Sequence, residues 1–306
     1  PPQISCSALR SKHIARLSAL AGLLLCAAAF GVESPSAEVS MPVSFSEIPG
    51  LPHTAAQRKI RYGDAPSQVG QLWLPRSGER PAPLVVFFHG GCWLKEYAAD
   101  HVFPLASQLT TDGFAVWVPE YRRVGEDGGG WPGSFEDARA ALARVAALSL
   151  PDIDYRRVLL AGHSAGGHLA LWLAAQEPES ESAKVTLRGA VGLAPITDLR
   201  AYAAGDNSCE QVTTRFMGGS PDTLPDRYRL ASPAALPVVV PTVLLRGTLD
   251  GIVPGGQLET FPDSPMLERR TLAGAGHFDW IHPQTAAYDL FRKAVDAMLA
   301  DAGDSP

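Results

Sequence analysis

The sequence predicts an α/β fold: a mostly parallel, doubly wound sheet with helices on both faces and a small cap insertion. Three observations predict it. Short continuous apolar runs recur along the chain, as expected of strands buried on both faces. Stretches of helical spacing lie between them, so strands and helices alternate over about 230 residues. The chain has 306 residues, 46% hydrophobic and 19% charged, enough for one sizeable core and better suited to one large domain than to two.

The N-terminus differs from everything after it. Arg10, Lys12 and Arg16 precede an apolar stretch, 17–30, too short to span a bilayer comfortably, and small residues follow at 27–29 and near Ala37. Basic flank, apolar centre and small-residue exit in that order predict a signal peptide and leader over 1–37, and hence a secreted or periplasmic protein. A short buried helix is the competing reading. A lipoprotein signal ending at Cys26 is disfavoured by the bulky Leu25 before it. No other stretch is long and apolar enough for a membrane span. Removal of the leader takes away Cys6 and Cys26 and leaves Cys92 and Cys209. In an oxidising compartment these two either pair, stapling the cap over the rest, or stay free, and both readings stand. The cysteine spacing matches no zinc motif.

Residues 38–58 carry little periodicity and read as linker, with the folded domain at 59–302. Residues 60–62 and 69–74 read as two antiparallel strands around a Gly-Asp-Ala-Pro turn. Residues 84–88 and 114–118 are buried strands, with a helix at 98–111 between them and another at 135–148 after a Gly-rich loop. The run 158–161 is a strand entering a Gly-His-Ser-Ala-Gly turn, and 165–176 is the helix leaving it. A strand follows at 189–193. From 196 to 236 the pattern breaks into short polar pieces punctuated by Pro and Gly, which predicts the cap. Strands at 238–245 and 267–272 and an amphipathic helix at 286–299 complete the domain.

Strand, sharp turn with a serine at its apex, then helix is the context in which G-x-S-x-G presents a nucleophile. A serine hydroxyl needs a base within reach, and the base needs an orienting partner. In open α/β sheets functional groups gather past the carboxyl ends of strands. Asp250 lies five residues past Leu245, and His277 five past Leu272, giving the chain order Ser, Asp, His. The expected roles are Ser164 as nucleophile, His277 as general base then acid, and Asp250 as the carboxylate that fixes the imidazole. Ala165, next after the serine, is one expected oxyanion-hole donor, and the loop His89-Gly90-Gly91-Cys92-Trp93, straight after a strand, supplies the other.

Other histidines and acids have plainer readings. His163 and His168 are expected to pack rather than react, and His89 to brace the glycine loop. His277 with His282 lacks the carboxylate company of a metal site. Asp279 sits too close in sequence to His277 to orient it easily. Asp198 reads as a helix N-cap. Trp93, Trp131, Phe216 and Trp280, with Tyr97 and Met217 beside them, are candidates for the pocket wall.

These pieces resemble the α/β-hydrolase superfamily, on the esterase/lipase branch that carries an H-G-G-x-W loop, and are similar to its arylformamidase-like and carboxylesterase-like members. The matching residues are 89–93, 120–122, 162–168, 247–250 with Val253-Pro254, and 274–278. Cys92 stands where many relatives have a third glycine, which leaves Gly91, Gly90 or the Cys92 N–H as the second donor, with Gly91 placed first. The resemblance implies a serine hydrolase that cleaves short-chain or aryl carboxylic esters through an acyl-enzyme. An amide-class hydrolase, acting on N-formyl amides or small peptides, would use the same machinery. A catalytically inactive binding protein is disfavoured by three occupied triad positions. No metal or organic cofactor is implied, and the expected partner is a small-molecule ester. The net charge of -6, with no polybasic run, argues against nucleic acid.

Overall fold

The strongest apolar runs form the middle of one eight-stranded sheet. In a computed structural model, which describes residues 41–78, 80–176 and 185–300, the strands are β1 (Arg58–Arg61), β2 (Val69–Trp73), β3 (Ala82–Phe88), β4 (Ala115–Pro119), β5 (Ile153–His163), β6 (Leu187–Leu193), β7 (Thr242–Gly247) and β8 (Leu267–Leu272). Their order is β1-β2-β4-β3-β5-β6-β7-β8, and every pairing from β4 to β8 is parallel, with β1 and β2 antiparallel at one edge. All seven residues of β3 are buried, whereas the edge strand β8 is largely open. The predicted leader and the start of the linker lie outside the described residues.

Successive residues of a strand face opposite sides, and the core divides accordingly. Leu84, Val86 and Phe88 join Leu160, Trp117 and the helices α2 (Gly133–Ala147) and α3 (Ala165–Gln176) on one face. Val85, Phe87, Leu159 and Val191 join α1 (Phe103–Thr111) and α8 (Ala286–Leu299) on the other. The cap is built of short helices, α4 (Leu199–Tyr202), α5 (Thr213–Met217) and α6 (Pro225–Ala231), whose Tyr202, Phe216 and Tyr228 share the first core. A last short helix, α7 (Gly256–Glu259), precedes β8. Among the described residues no helix is long and apolar enough to cross a membrane.

α3, β8 and α8 coincide with their expected ranges. Elsewhere prolines and buried charges shift the ends. The helix expected at 98–111 is a 3-10 turn, Ala99–Val102, followed by α1, because Pro104 fits only the first turn of an α-helix. β7 begins at Thr242, after Pro241, so the valines at 238–240 lead into the strand without joining it. β5 starts five residues before the expected Val158. Its early part is polar, but Asp154 and Arg157, both buried, pair at 3.0 Å. Residues 41–57, read as linker, lie on the domain: Ile48 is fully buried, and Thr54 O accepts a hydrogen bond from Trp73 Nε1.

Candidate active site

Ser164 sits between β5 and α3 with a left-handed backbone, φ 55°. A non-glycine residue there is strained and persists only where its surroundings hold it. Its N–H donates to Leu193 O at 2.8 Å, and its carbonyl accepts from His168 N at 3.0 Å. The flanking glycines allow the close approach. A Cβ on Gly162 would overlap the Gly166 carbonyl, and one on Gly166 would overlap the carbonyls of Phe88 and His89.

The loops past β7 and β8 are joined by their own backbones. Leu249 N–H donates to Ala275 O at 2.9 Å, Thr248 N–H to Leu272 O at 3.1 Å, and Gly274 N–H to Thr248 Oγ1 at 2.9 Å. This brings His277 Nδ1 to 2.7 Å from Asp250 Oδ2, both side chains almost wholly buried. Asp250 Oδ1 accepts the N–H groups of Ile252 and Val253 at 2.8 and 2.9 Å, which fixes the carboxylate. Nδ1 therefore carries a proton, and in the neutral ring Nε2 is left as an acceptor. Asp279, the possible rival, accepts instead from Val43 N and Gly276 N, each at 3.0 Å. His163 donates from Nε2 to His277 O at 2.9 Å, tying His277 to β5, the strand that ends before Ser164. Burial, then the neighbouring His277, pushes its pKa well below the ordinary histidine value, so the ring is a neutral strut. His168 is also neutral, pushed down to about 4 by burial. It donates from Nε2 to Ala231 O at 2.9 Å, and Trp172 Nε1 donates to Leu230 O at 3.0 Å, so α3 holds the cap's α6. Asp198 caps α4, accepting from Ala201 N at 3.0 Å.

The His89 loop is held from outside. His89 stacks on Tyr121, whose hydroxyl donates to His89 O at 2.9 Å. His89 Nδ1 donates to Gly90 O at 2.8 Å, and Nε2 is 3.2 Å from Glu120 Oε2, an ion pair when the ring is protonated. Glu120 also pairs with Arg123 at 3.1 Å and accepts the Ala99 N–H at 2.6 Å. Burial alone would raise this carboxyl, but His89 and Arg123 outweigh it and hold its pKa at about 2. Gly91, Cys92 and Trp93 are three successive left-handed residues, and a disulfide joins Cys92 to Cys209 in the cap with Cα atoms 5.2 Å apart.

Gly91, Cys92, Ser164 and His277 line one cavity of about 250 Å³. The backbone N–H groups of Gly91, Cys92 and Ala165 donate to no group among the described residues, as free oxyanion donors must. Gly90 lies off the cavity, against His163, where a Cβ would meet Nδ1 at 2.9 Å. The rest of the wall is Phe45, Leu94, Tyr97, His101, Ser208, Cys209, Ile252, His163 and Phe278. Of the aromatic residues expected there, only Tyr97 is present. Trp93, Phe216 and Trp280 are fully buried, and Trp131 packs on Phe135. Trp93 stacks on Phe216 at 4.4 Å, so the pair welds the loop to the cap from beneath. Phe278, next to His277, could have been found from its neighbour. Phe45 could not, since its segment has no periodicity.

The BD-FAE family model matches residues 71–264, a span that includes the His89 loop, Ser164 and Asp250. The chain is similar to esterase LipC of Mycobacterium tuberculosis, 26% identical over 78% of this chain and 65% of the relative. It is also similar to the probable isoprenylcysteine alpha-carbonyl methylesterase of Oryza sativa, 28% identical over 67% of this chain and 52% of the relative. The chain thus spans about half to two thirds of the length of these curated relatives. The crystal structure of esterase B from Lactobacillus rhamnosis superposes with a TM-score of 0.67 at 18% identity, covering 81% of this chain and 88% of that one. Sheet order, helices on both faces and these likenesses give an α/β-hydrolase fold, and the chain belongs to the BD-FAE family.

Proposed function

We propose that the protein is a serine hydrolase of small carboxylic esters, acting through an acyl-enzyme. The Asp250–His277 hydrogen bond, on the same cavity as the strained Ser164, carries this reading. Ser164 Oγ attacks the ester carbonyl while His277 Nε2 takes its proton, and Asp250 stabilises the resulting imidazolium. The carbonyl oxygen, now negative, is held by the N–H groups of Ala165 and Gly91. Collapse of the tetrahedral adduct breaks the bond to the alkoxy oxygen, and His277 returns the proton to the departing alcohol. Water, deprotonated by His277, then releases the acid and restores the serine.

A cavity of about 250 Å³ with a largely apolar wall suits a short acyl chain or a single ring. The Cys92–Cys209 disulfide supports export to an oxidising compartment. A panel of p-nitrophenyl esters of rising chain length, with an N-formyl aromatic amine beside them, tests the proposal. Ester turnover that falls with chain length and vanishes in Ser164→Ala is expected. Turnover surviving in that variant, or confined to the formamide, would refute it.

A further inference from the structure

Of the polar wall residues of the cavity that have no part in the chemistry above, Ser208 is exposed and His101 is buried. His101 lies in the 3-10 turn before α1, only 5% exposed, among the rings of Phe45 and His89 at 5.7 Å each. Its Nδ1 is 2.6 Å from Ala98 O. A carbonyl can only accept, so Nδ1 carries the hydrogen, and in the neutral ring Nε2 is left as a bare acceptor. Burial, and then the nearby His89, lowers its pKa to about 3, so the ring stays neutral in working conditions. Nε2 has no hydrogen-bond partner among the described residues, yet it is not one of the sealed, unpaired atoms of the interior. The small exposed part of this side chain opens on the cavity that holds Ser164 and His277. Around it Phe45 packs edge-on against Tyr97 and at a tilt against Phe278, and these three rings line the same cavity.

We infer that His101 Nε2 is a specificity determinant that accepts a hydrogen bond from an O–H or N–H group of the substrate, so that the site prefers esters carrying such a donor within reach of the scissile bond. The inference rests on the esterase reading of the same cavity. In pockets of this kind a few placed polar groups set orientation and selectivity while the apolar wall supplies most of the contact. An acceptor left unpaired when a plain hydrocarbon chain fills the cavity carries a penalty that a donor-bearing chain avoids. His101 thus selects for the hydroxylated substrate by discriminating against the plain one. The geometry makes it an acceptor and gives the substrate the donor role.

Matched substrates test this. On the acyl side, p-nitrophenyl 3-hydroxybutyrate is compared with p-nitrophenyl butyrate; on the alcohol side, 2-hydroxyethyl butyrate with ethyl butyrate. In at least one pair the hydroxylated ester is expected to show a kcat/KM higher by about fivefold or more, the size of one neutral hydrogen bond. That ratio should fall to about one in His101→Phe and be partly restored in His101→Gln, whose carbonyl can accept. The pair that responds identifies which half of the ester lies beside His101. A second readout needs no turnover: in the Ser164→Ala protein, the His101 Nε2 ¹⁵N resonance should move upfield on adding the hydroxylated ester and not the plain one. Turnover of plain and hydroxylated esters at equal rates, with that resonance unmoved, would overturn the role of His101 and leave the esterase reading intact. A moved resonance in a protein whose unmodified form cleaves no ester would uphold the acceptor and refute the esterase.

Discussion

The His89 loop reaches Ser164 braced mainly by other segments, whereas the Asp250 and His277 loops mainly brace each other, with outside ties from His163, Val43 and the cap's Tyr202 and Asn207. Around the former, Tyr121, Glu120 and Arg123 come from past β4, and Cys209 and Phe216 come from the cap. Around the latter, backbone hydrogen bonds close the loops on themselves, and Asp250 accepts from residues two and three places on. Under the proposed mechanism the difference follows from two tasks. Donors that meet a developing negative charge work best when they cannot move, because fixed dipoles need no reorganisation during reaction. An orienting carboxylate needs only to keep one tautomer and one ring direction, and local geometry suffices.

Asp250→Asn should break this contrast most sharply. Its amide oxygen can still accept from Ile252 and Val253, so folding should be nearly unchanged. The new amide nitrogen can only donate to Nδ1, which holds the ring in the wrong tautomer, and kcat should drop by about 10⁴-fold. A drop under tenfold would remove Asp250 from the triad. For the braced loop, stability and rate should fall together. The double change Cys92→Ala with Cys209→Ala opens a loop of 117 residues and should destabilise the protein by about 2–5 kcal/mol in chemical unfolding. With the loop freed, kcat should fall by about 10²-fold, as when one oxyanion donor is lost. An unchanged kcat would mean that the Trp93–Phe216 stack and the Glu120 cluster hold the donors alone.

Glu120→Gln sharpens the same point at smaller scale. It leaves Arg123 and His89 without the carboxylate they share, and a loss of about 1–3 kcal/mol is expected from such a buried contact. The rate should fall by about tenfold through kcat, with KM little changed. A change in KM alone would place Glu120 outside the oxyanion support.

The pH dependence of stability has a separate source, the buried histidines. His168 is neutral in the fold with a pKa of about 4, below the ordinary 6.5, so the unfolded chain takes up a proton that the fold resists. Its contribution is complete above about pH 6.5 and is lost as the pH falls toward 4, at about 1.4 kcal/mol per unit of difference. His101 and His163, also pushed below the ordinary value by burial, add losses as the pH falls below 6.5, and Glu120, held at about 2 against an ordinary 4.5, adds one between those values. Unfolding free energy measured in urea should therefore decline from pH 7 to 4, and His168→Gln should flatten the upper part of that slope. A profile equally steep in His168→Gln would assign the loss elsewhere.

The same contrast marks what was legible in the sequence. Asp250 and His277 lie a fixed short distance past strands whose apolar or amphipathic patterns stand out, and β8 was readable to the residue. Ser164 was readable because its turn demands glycines at fixed offsets. The bracing of the His89 loop was only partly visible. Cys92 and Cys209 could be seen as possible partners, but nothing in the chain told a bond from two free thiols. The pocket wall was misread because an aromatic side chain fits a core as well as a cavity. Trp93, Phe216 and Trp280 went to the core, and the wall took Phe45 from a segment without pattern. The early start of β5 was hidden by charges, since Asp154 and Arg157 are buried as a pair that no periodicity announces.

In the proposed mechanism Ser164 is a nucleophile activated by His277. Labelling the intact protein with a fluorophosphonate and mapping the adduct by mass spectrometry tests it most directly. One adduct is expected, on Ser164, formed rapidly in the unmodified protein and far more slowly in His277→Ala. No adduct, an adduct on another residue, or an equal labelling rate without His277 would contradict it.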